Sequence, residues 1–231
     1  MMNIELAGHS LVPRPTGTLV WPGEGLLVVA DLHLGVSGRL ARRGGAFLPP
    51  YETDDTLDRL AGEIASVDPA GVICLGDSFD DAVAARSLTA GQRARLGGMA
   101  EGRDWLWIAG NHDPAPAGAA LPGRWVEEIR VGPLAFRHIA EAEPPAPGTA
   151  EVSAHYHPKA RVAAGGRPIA RAAFLYSGSR LILPAFGTYT GGLDASDPAF
   201  DALMGPGALA LLTGRRITPV MRSRLMRRNS A

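Results

Sequence analysis

An α/β fold built around a parallel sheet is predicted by three features of this 231-residue sequence. The first is a set of short apolar runs, Leu26-Leu27-Val28-Val29-Ala30, Val72-Ile73-Cys74-Leu75 and Trp105 to Ala109, too short for free-standing helices. The second is their near-continuous apolarity, which belongs to strands in the middle of a sheet covered on both faces. The third is the helical periodicity between them, because strand–helix–strand–helix–strand generates parallel neighbours.

At the N-terminus, "IELAGHSLV" and "GTLVWP", joined by a turn bearing Pro and Gly, read as a hairpin. The run at 26–30 is the first central strand. Leu57, Leu60, Ala61 and Ile64 then recur at i, i+3, i+4 and i+7, with Thr53 as the expected N-cap. After the second strand, Thr89 and Gln92 have the spacing of a capping box. Beyond the third strand the chain turns strand-rich, with "PLAFRH" (133–138), "AEVSAHYH" (150–157) and the pair in "AAFLYSGSRLILPAF" (172–186), turned by "SGS". A second sheet or an antiparallel portion is expected there. "AEAEPPAPGTA" (140–150) is a Pro-rich loop and not a domain linker, since ligand-type residues flank it on both sides. One domain over 1–231 is therefore expected, ending in a short basic tail at about 221–231.

Composition narrows the function classes. A net charge of +0 and a pI near 7.0 exclude a chain that binds nucleic acid through overall basicity. Arginines 215, 216, 222, 224, 227 and 228, with no acid among them, could hold phosphate, but a solvated tail is the plainer reading. Cys74 is the one cysteine, so a disulfide framework is excluded, and its place in an apolar run makes it core. No basic start followed by an apolar stretch opens the chain, and no apolar run is long enough for a bilayer. A cytoplasmic protein without a membrane partner is the expectation.

The chemistry lies at the ends of the strands. Leu26–Ala30 runs into Asp31 and His33. Val72–Gly76 runs into Asp77, with Asp80 and Asp81 beyond. Trp105–Gly110 runs into Asn111, His112 and Asp113, then Pro114. "LAFR" ends at His138, and "EVSA" at His155 and His157. Ligands of open α/β sheets bind beyond the carboxyl ends of the strands, so five strand ends would converge on one site. Five of the six histidines fall there; His9 does not. Buried Asp and His together carry a heavy desolvation cost, which a bound cation relieves. Imidazole with carboxylate suits Mn²⁺, Fe²⁺ or Zn²⁺ better than Mg²⁺. Seven such groups exceed one tetrahedral ion and match two ions sharing a carboxylate, the clamp used for in-line displacement at phosphorus.

"DLH" (31–33), "GDSFD" (76–80), "GNHD" (110–113), the lone His138 and "AHYH" (154–157) together resemble, in order, the five blocks of the calcineurin-like metallophosphoesterases. "LARRGGAFLPPYET" (40–53), "GNHDPAP" (110–116) and "LPAFGTYTGGLD" (183–194) are similar to one bacterial subgroup, the ligase-associated DNA-damage-response endonucleases. The resemblance implies a four-layer α+β-like sandwich, two packed mixed sheets flanked by helices with the metals at one edge. It implies that Asp31, His33, Asp77 and His157 hold one divalent ion and that Asp77, Asn111, His138 and His155 hold the other, Asp77 bridging. His112 would face the phosphoryl group and serve the leaving oxygen, its ring held by Asp113 or Asp80. A metal-bridging hydroxide would be the nucleophile. The function implied is a dinuclear phosphodiesterase or nuclease linked to DNA repair, with Mn²⁺ as the leading cofactor, a phosphodiester such as DNA as substrate and ligase-associated repair proteins as partners. The alternatives are a small-molecule phosphomonoesterase or nucleotidase, and a non-catalytic scaffold of the same fold.

Two positions depart from the family pattern: Ala154 stands where the last block usually has glycine, and Asp80 where the subgroup often has histidine. Since alanine disfavours positive φ, either the backbone at 154 is ordinary or His155 is shifted. Arg42 and Arg43 could reach a substrate phosphate. Trp105 and Trp107 could stack bases but read better as core. Thr188, Tyr189 and Thr190, in a Gly-rich loop after a strand, are candidates for the wall of the cleft.

Overall fold

Alternation along the central strands decides the layers. Successive side chains of a strand point to opposite faces. Val28 and Ala30, Ile73 and Leu75, and Leu106 and Ile108 enter one core, while Leu27 and Val29, Val72 and Cys74, and Trp105 and Trp107 enter another. A sheet buried on both faces needs a cover on each side. The computed structural model, which describes residues 2–45, 48–113 and 121–226, shows what the covers are.

The first sheet contains β1 (Ile4–Leu6), β2 (His9–Pro13), β3 (Leu19–Trp21), β4 (Leu26–Val29), β5 (Gly71–Leu75), β6 (Asp104–Ile108) and β7 (Arg124–Val126), side by side in chain order. β4 to β7 pair in parallel, while β1 to β4 form an antiparallel meander. Helices α1 (Val36–Arg42), α2 (Glu52–Val67), α3 (Ala82–Ser87) and α4 (Ala90–Ala100) occupy the connections that parallel pairing requires. Leu57, Leu60 and Ile64 of α2 and Leu96 of α4 pack on the outer face with the two tryptophans.

The second sheet contains β8 (Glu128–Val131), β9 (Leu134–Arg137), β10 (Ala150–Ser153), β11 (Lys159–Ala164), β12 (Arg167–Ser177), β13 (Arg180–Ile182), β14 (Leu209–Leu212) and β15 (Thr218–Met221), with helix α5 (Ala199–Met204) between β13 and β14. Its order is β15-β14-β12-β13-β10-β9-β8, with β11 paired to β12. It too is mixed, β9–β10 and β10–β13 being parallel. Phe136, Val152, Phe174, Leu181 and Leu211 face the first sheet, and Ala173, Leu175 and Leu212 face Phe200 and Met204 of α5. The result is helices, sheet, sheet, helix, as expected.

Several local expectations change. The N-terminal hairpin is a three-stranded meander, because Ala7 and Gly8 make a turn inside "IELAGHSLV". Thr53 lies inside α2, which starts after Tyr51 without a side-chain cap; its hydroxyl accepts from Gly35 N–H at 3.0 Å. The strand expected at 150–157 stops at Ser153. Met221 belongs to β15, Arg222 binds Asp201 Oδ1 at 2.7 Å and the carbonyls of Ala195 and Asp197, and Leu225 is buried, so 221–226 is anchored to the fold at these positions while Met221, Ser223, Arg224 and Met226 stay exposed. The capping box of Thr89 and Gln92 forms as expected. Pro114, Arg227 and Arg228 lie outside the described residues.

Candidate metal centre

The parallel strands β4 and β5 stop, but their backbones keep pairing. Asp31 N–H donates to Gly76 O (3.2 Å), His33 N–H to Asp77 O (2.9 Å) and Leu34 N–H to Ser78 O (3.0 Å). These bonds hold the first two ligand segments side by side. From the second sheet, Ala154 N–H donates to His138 O at 2.9 Å and joins the segment of His138 to that of His155 and His157.

The side chains gather in two groups. In the first, His157 Nε2 lies 3.2 Å from Asp31 Oδ1 and 3.3 Å from His33 Nε2. In the second, His138 Nε2 is 3.3 Å from Asp77 Oδ2, 3.1 Å from Asn111 Oδ1 and 3.2 Å from His155 Nδ1. Asp77 Oδ2 also lies 3.8 Å from His33 Nε2, so this one carboxylate touches both groups. His112 is anchored by its N–H to Asp77 Oδ1 (2.8 Å), with its ring centroid 5.2 Å from that of His33. A cleft of about 330 Å³ bordered by Gly110, Asn111, Arg137, His138 and Ile139 opens beside the second group. His9, the sixth histidine, packs edge-on against Trp21 in the core region.

The donor set fits a cation. Asp31 is wholly buried, and its Oδ1 makes no hydrogen bond of acceptable geometry. Two histidine pairs direct ring nitrogens at one another within 3.3 Å, an arrangement in which one lone pair at most can be matched by a proton. Divalent ions would satisfy the lone pairs and the unpaired carboxylate oxygen together. Burial pushes the Asp77 carboxyl up, but His138, the His112 N–H and His33 outweigh it and bring it down to about 2. Burial, then the charge of His138, lowers the His155 imidazole, which keeps it neutral and able to ligate.

Five of the seven ligand-type residues have left-handed backbone: Asp31 (φ 50), His33 (42), Asp77 (43), His155 (71) and His157 (46). Each costs of order 1–2 kcal/mol in a non-glycine residue, and such positions collect at functional sites. Ala154 keeps an ordinary φ and is fully buried, and the positive angle falls on His155 instead. Glycine is required where side chains crowd. A Cβ at Gly76 would sit 2.0 Å from His138 Nδ1, and one at Gly110 would sit 2.2 Å from both Asp77 N and Oδ1.

The supporting residues differ from expectation. Neither Asp80 nor Asp113 holds the His112 ring through its carboxylate. Asp80 directs Oδ1 at His33 Nδ1 (3.0 Å), and its backbone carbonyl lies 3.0 Å from His112 Nδ1. Asp113 accepts from Phe79 N–H and Gly110 N–H, both at 2.9 Å, so it closes the turn between two ligand loops. Burial outweighs these two bonds and, with the nearby Asp77 charge, raises the Asp113 carboxyl to about 6. Arg42 is paired with Asp81 at 2.7 Å, and Arg43 is exposed at the end of α1. Trp105 and Trp107 are buried, and Trp107 Nε1 donates to Pro122 O, so neither presents a face to bases. One residue was missed: Arg39, whose guanidinium forks onto Asp80 behind His33. Nothing in the sequence separates it from Arg42 and Arg43; only its position one helical turn into α1 does.

The profile of the calcineurin-like phosphoesterase family matches residues 26–162, more than half of the chain and the span that carries all seven residues. No curated protein matches the sequence. Among solved structures, the Pseudomonas putida nuclease MPE is similar with a TM-score of 0.69 and 24% identity, over 95% of this chain and 99% of that one. Yfce, a phosphoesterase from E. coli, gives a TM-score of 0.46 and 14% identity, over 85% of this chain and 98% of that one. No helix among the described residues is long and apolar enough to cross a membrane. With the family's histidine and aspartate blocks brought together in this way, the chain belongs to the calcineurin-like phosphoesterases, the metal-dependent hydrolases of phosphate esters.

Proposed function

We propose that this protein is a Mn²⁺-dependent phosphodiesterase acting on nucleic acid. The observation that carries the reading is the sharing of Asp77 between two His/Asp groups, with His112 tied to the same carboxylate. Asp31, His33, Asp77 and His157 would hold one ion, and Asp77, Asn111, His138 and His155 the other. Two divalent ions there would supply Lewis-acid polarisation of phosphoryl oxygens and water ionised near neutral pH. The Asp80 carbonyl can only accept, so His112 Nδ1 carries a hydrogen and Nε2 is the atom that holds or releases the proton. Facing the substrate, a protonated Nε2 can serve the leaving oxygen as general acid. Asp80 and Arg39 fix the His33 ring, and Asp113 fixes the turn that bears Asn111 and His112.

A diester is favoured over a monoester because the arginines beside the site are already neutralised: Arg39 by Asp80, Arg42 by Asp81 and Arg137 by Glu128 and Glu151. A dianionic terminal phosphate calls for uncompensated cations beyond the metals, whereas a diester carries one charge. The ligase-associated resemblance supports DNA as that diester and a cytoplasmic role in repair, and the Pseudomonas putida protein of like fold is described as a nuclease. The test is hydrolysis of bis(para-nitrophenyl) phosphate against para-nitrophenyl phosphate by metal-depleted protein reloaded with Mn²⁺, Zn²⁺ or Mg²⁺, alongside His112→Ala. The diester should be preferred, with Mn²⁺ restoring most activity. Monoester preference would move the reading to a phosphomonoesterase, and equal rates for His112→Ala would remove the general acid.

A further inference from the structure

The loop at 185–193 has two sides. One side clasps the ligand segments: Phe186 N–H donates to Ala30 O (2.9 Å), Gly187 N–H to Asp31 O (3.0 Å) and Leu193 N–H to Tyr156 O (3.1 Å). The other side, with β12, walls a cleft of about 530 Å³, within the size range of small-ligand sites. Arg59, Lys159 and Arg171 line it together with Thr188, Tyr189 and Thr190, and no carboxylate is among its lining residues. The whole chain has 23 basic and 23 acidic residues; on this cleft wall Arg59 is matched by Asp55, and Lys159 and Arg171 are left as two uncompensated cations, a local site for an anion.

The three cations have different duties. Arg59 is committed to the loop: it donates to Phe186 O (2.6 Å) and Thr188 Oγ1 (2.9 Å), pairs with Asp55 and lies 4.5 Å over the Phe186 ring. Lys159 donates to Thr190 O at 2.9 Å, which leaves further N–H bonds to offer. Arg171 is exposed on β12, and among the described residues neither it nor Lys159 has an ion-pair partner. Lys159 follows His157 by two residues, so the two backbones lie within about 7 Å. At the rim, Tyr189 is held at φ 67, and its ring centroid is 5.6 Å from that of Tyr51, which is 53% exposed. Cations that track phosphates beside an exposed aromatic face are the combination that binds single-stranded nucleic acid.

We propose that this cleft is a second phosphate subsite for a single-stranded nucleic acid. Lys159 and Arg171 take a phosphate flanking the one at the metal centre, and the Tyr51–Tyr189 pair stacks a neighbouring base. This rests on the nuclease reading above and adds to it the strand's path across the loop. A substrate without a flanking phosphate does not reach the cleft.

The test compares a single-stranded oligonucleotide with bis(para-nitrophenyl) phosphate, using metal-loaded full-length wild type, Lys159→Gln, Arg171→Glu and Tyr51→Ala. Arg130→Glu, on the edge strand β8 across the second sheet, is the charge-matched control. Arg171→Glu should raise KM for the oligonucleotide about tenfold and flatten the salt slope by about 0.7 for the lost contact. The change in diester kinetics should be much smaller, and the control should behave as wild type on both substrates. Lys159→Gln and Tyr51→Ala should show the same split. Equal losses on both substrates, or none on the oligonucleotide, would overturn the subsite while leaving the nuclease reading intact. Wild type that cleaves the diester but no oligonucleotide would overturn both.

Discussion

The two ligand groups share Asp77, and one histidine of each, His33 and His138, is braced in an opposite way. In the first group the His33 ring is held by side chains, by Asp80 and through it by Arg39. In the second the His138 ring is held by backbone and by a missing side chain: its Nδ1 faces Leu75 O at 3.4 Å, and it fills the space a Gly76 Cβ would need. A side-chain brace can be weakened by degrees, because an altered partner still leaves the imidazole in place. A steric brace fails at once, since an added methyl group must occupy space already taken. The placing of His33 is thus tunable and that of His138 is all-or-none.

The largest expected effect breaks the comparison at its shared member. Asp77→Ala should abolish hydrolysis and bring bound metal below the roughly two ions per chain of a dinuclear site, read by metal analysis; two retained ions would refute the bridge. His112→Ala should lower kcat by about 10²–10⁴ with metal content unchanged, which separates the proton-carrying residue from the ligands. Gly76→Ala should displace His138, empty the second site and cost roughly 1–3 kcal/mol of stability by overpacking, seen together as a lower Tm and lost metal. Asp80→Asn should do less, weakening metal affinity about 10–100-fold in titration, with activity restored at high Mn²⁺. If Asp80→Asn emptied its site as completely as Gly76→Ala empties the other, the contrast between the two braces would be wrong.

The two flanks of the site also differ in how they could be read. Strand ends 31–33, 77 and 111–113 were legible because each polar group follows an uninterrupted apolar run, and a buried strand ending in carboxylate and imidazole has few explanations. Thr188, Tyr189 and Thr190 were legible only as a loop of suitable composition. Their neighbours Lys159 and Arg171 come from other strands and carry no local signal. Arg39 went unnoticed for the same reason: it sits one turn into α1, beside two arginines that look identical in sequence.

The sequence by itself determined the α/β order of the first sheet, the capping box of α4 and the set of residues available to hold metal, because each depends on local periodicity or on residue type at a strand end. Only the tertiary structure decided what those residues do for one another. It placed the positive φ on His155 instead of Ala154 and gave Asp113 to the turn instead of to His112. It directed the Asp80 carboxylate to His33 and its carbonyl to His112, and it brought three cations from three segments to one cleft. Such assignments depend on distances between residues far apart in the chain, and those distances are fixed only when two sheets pack face to face.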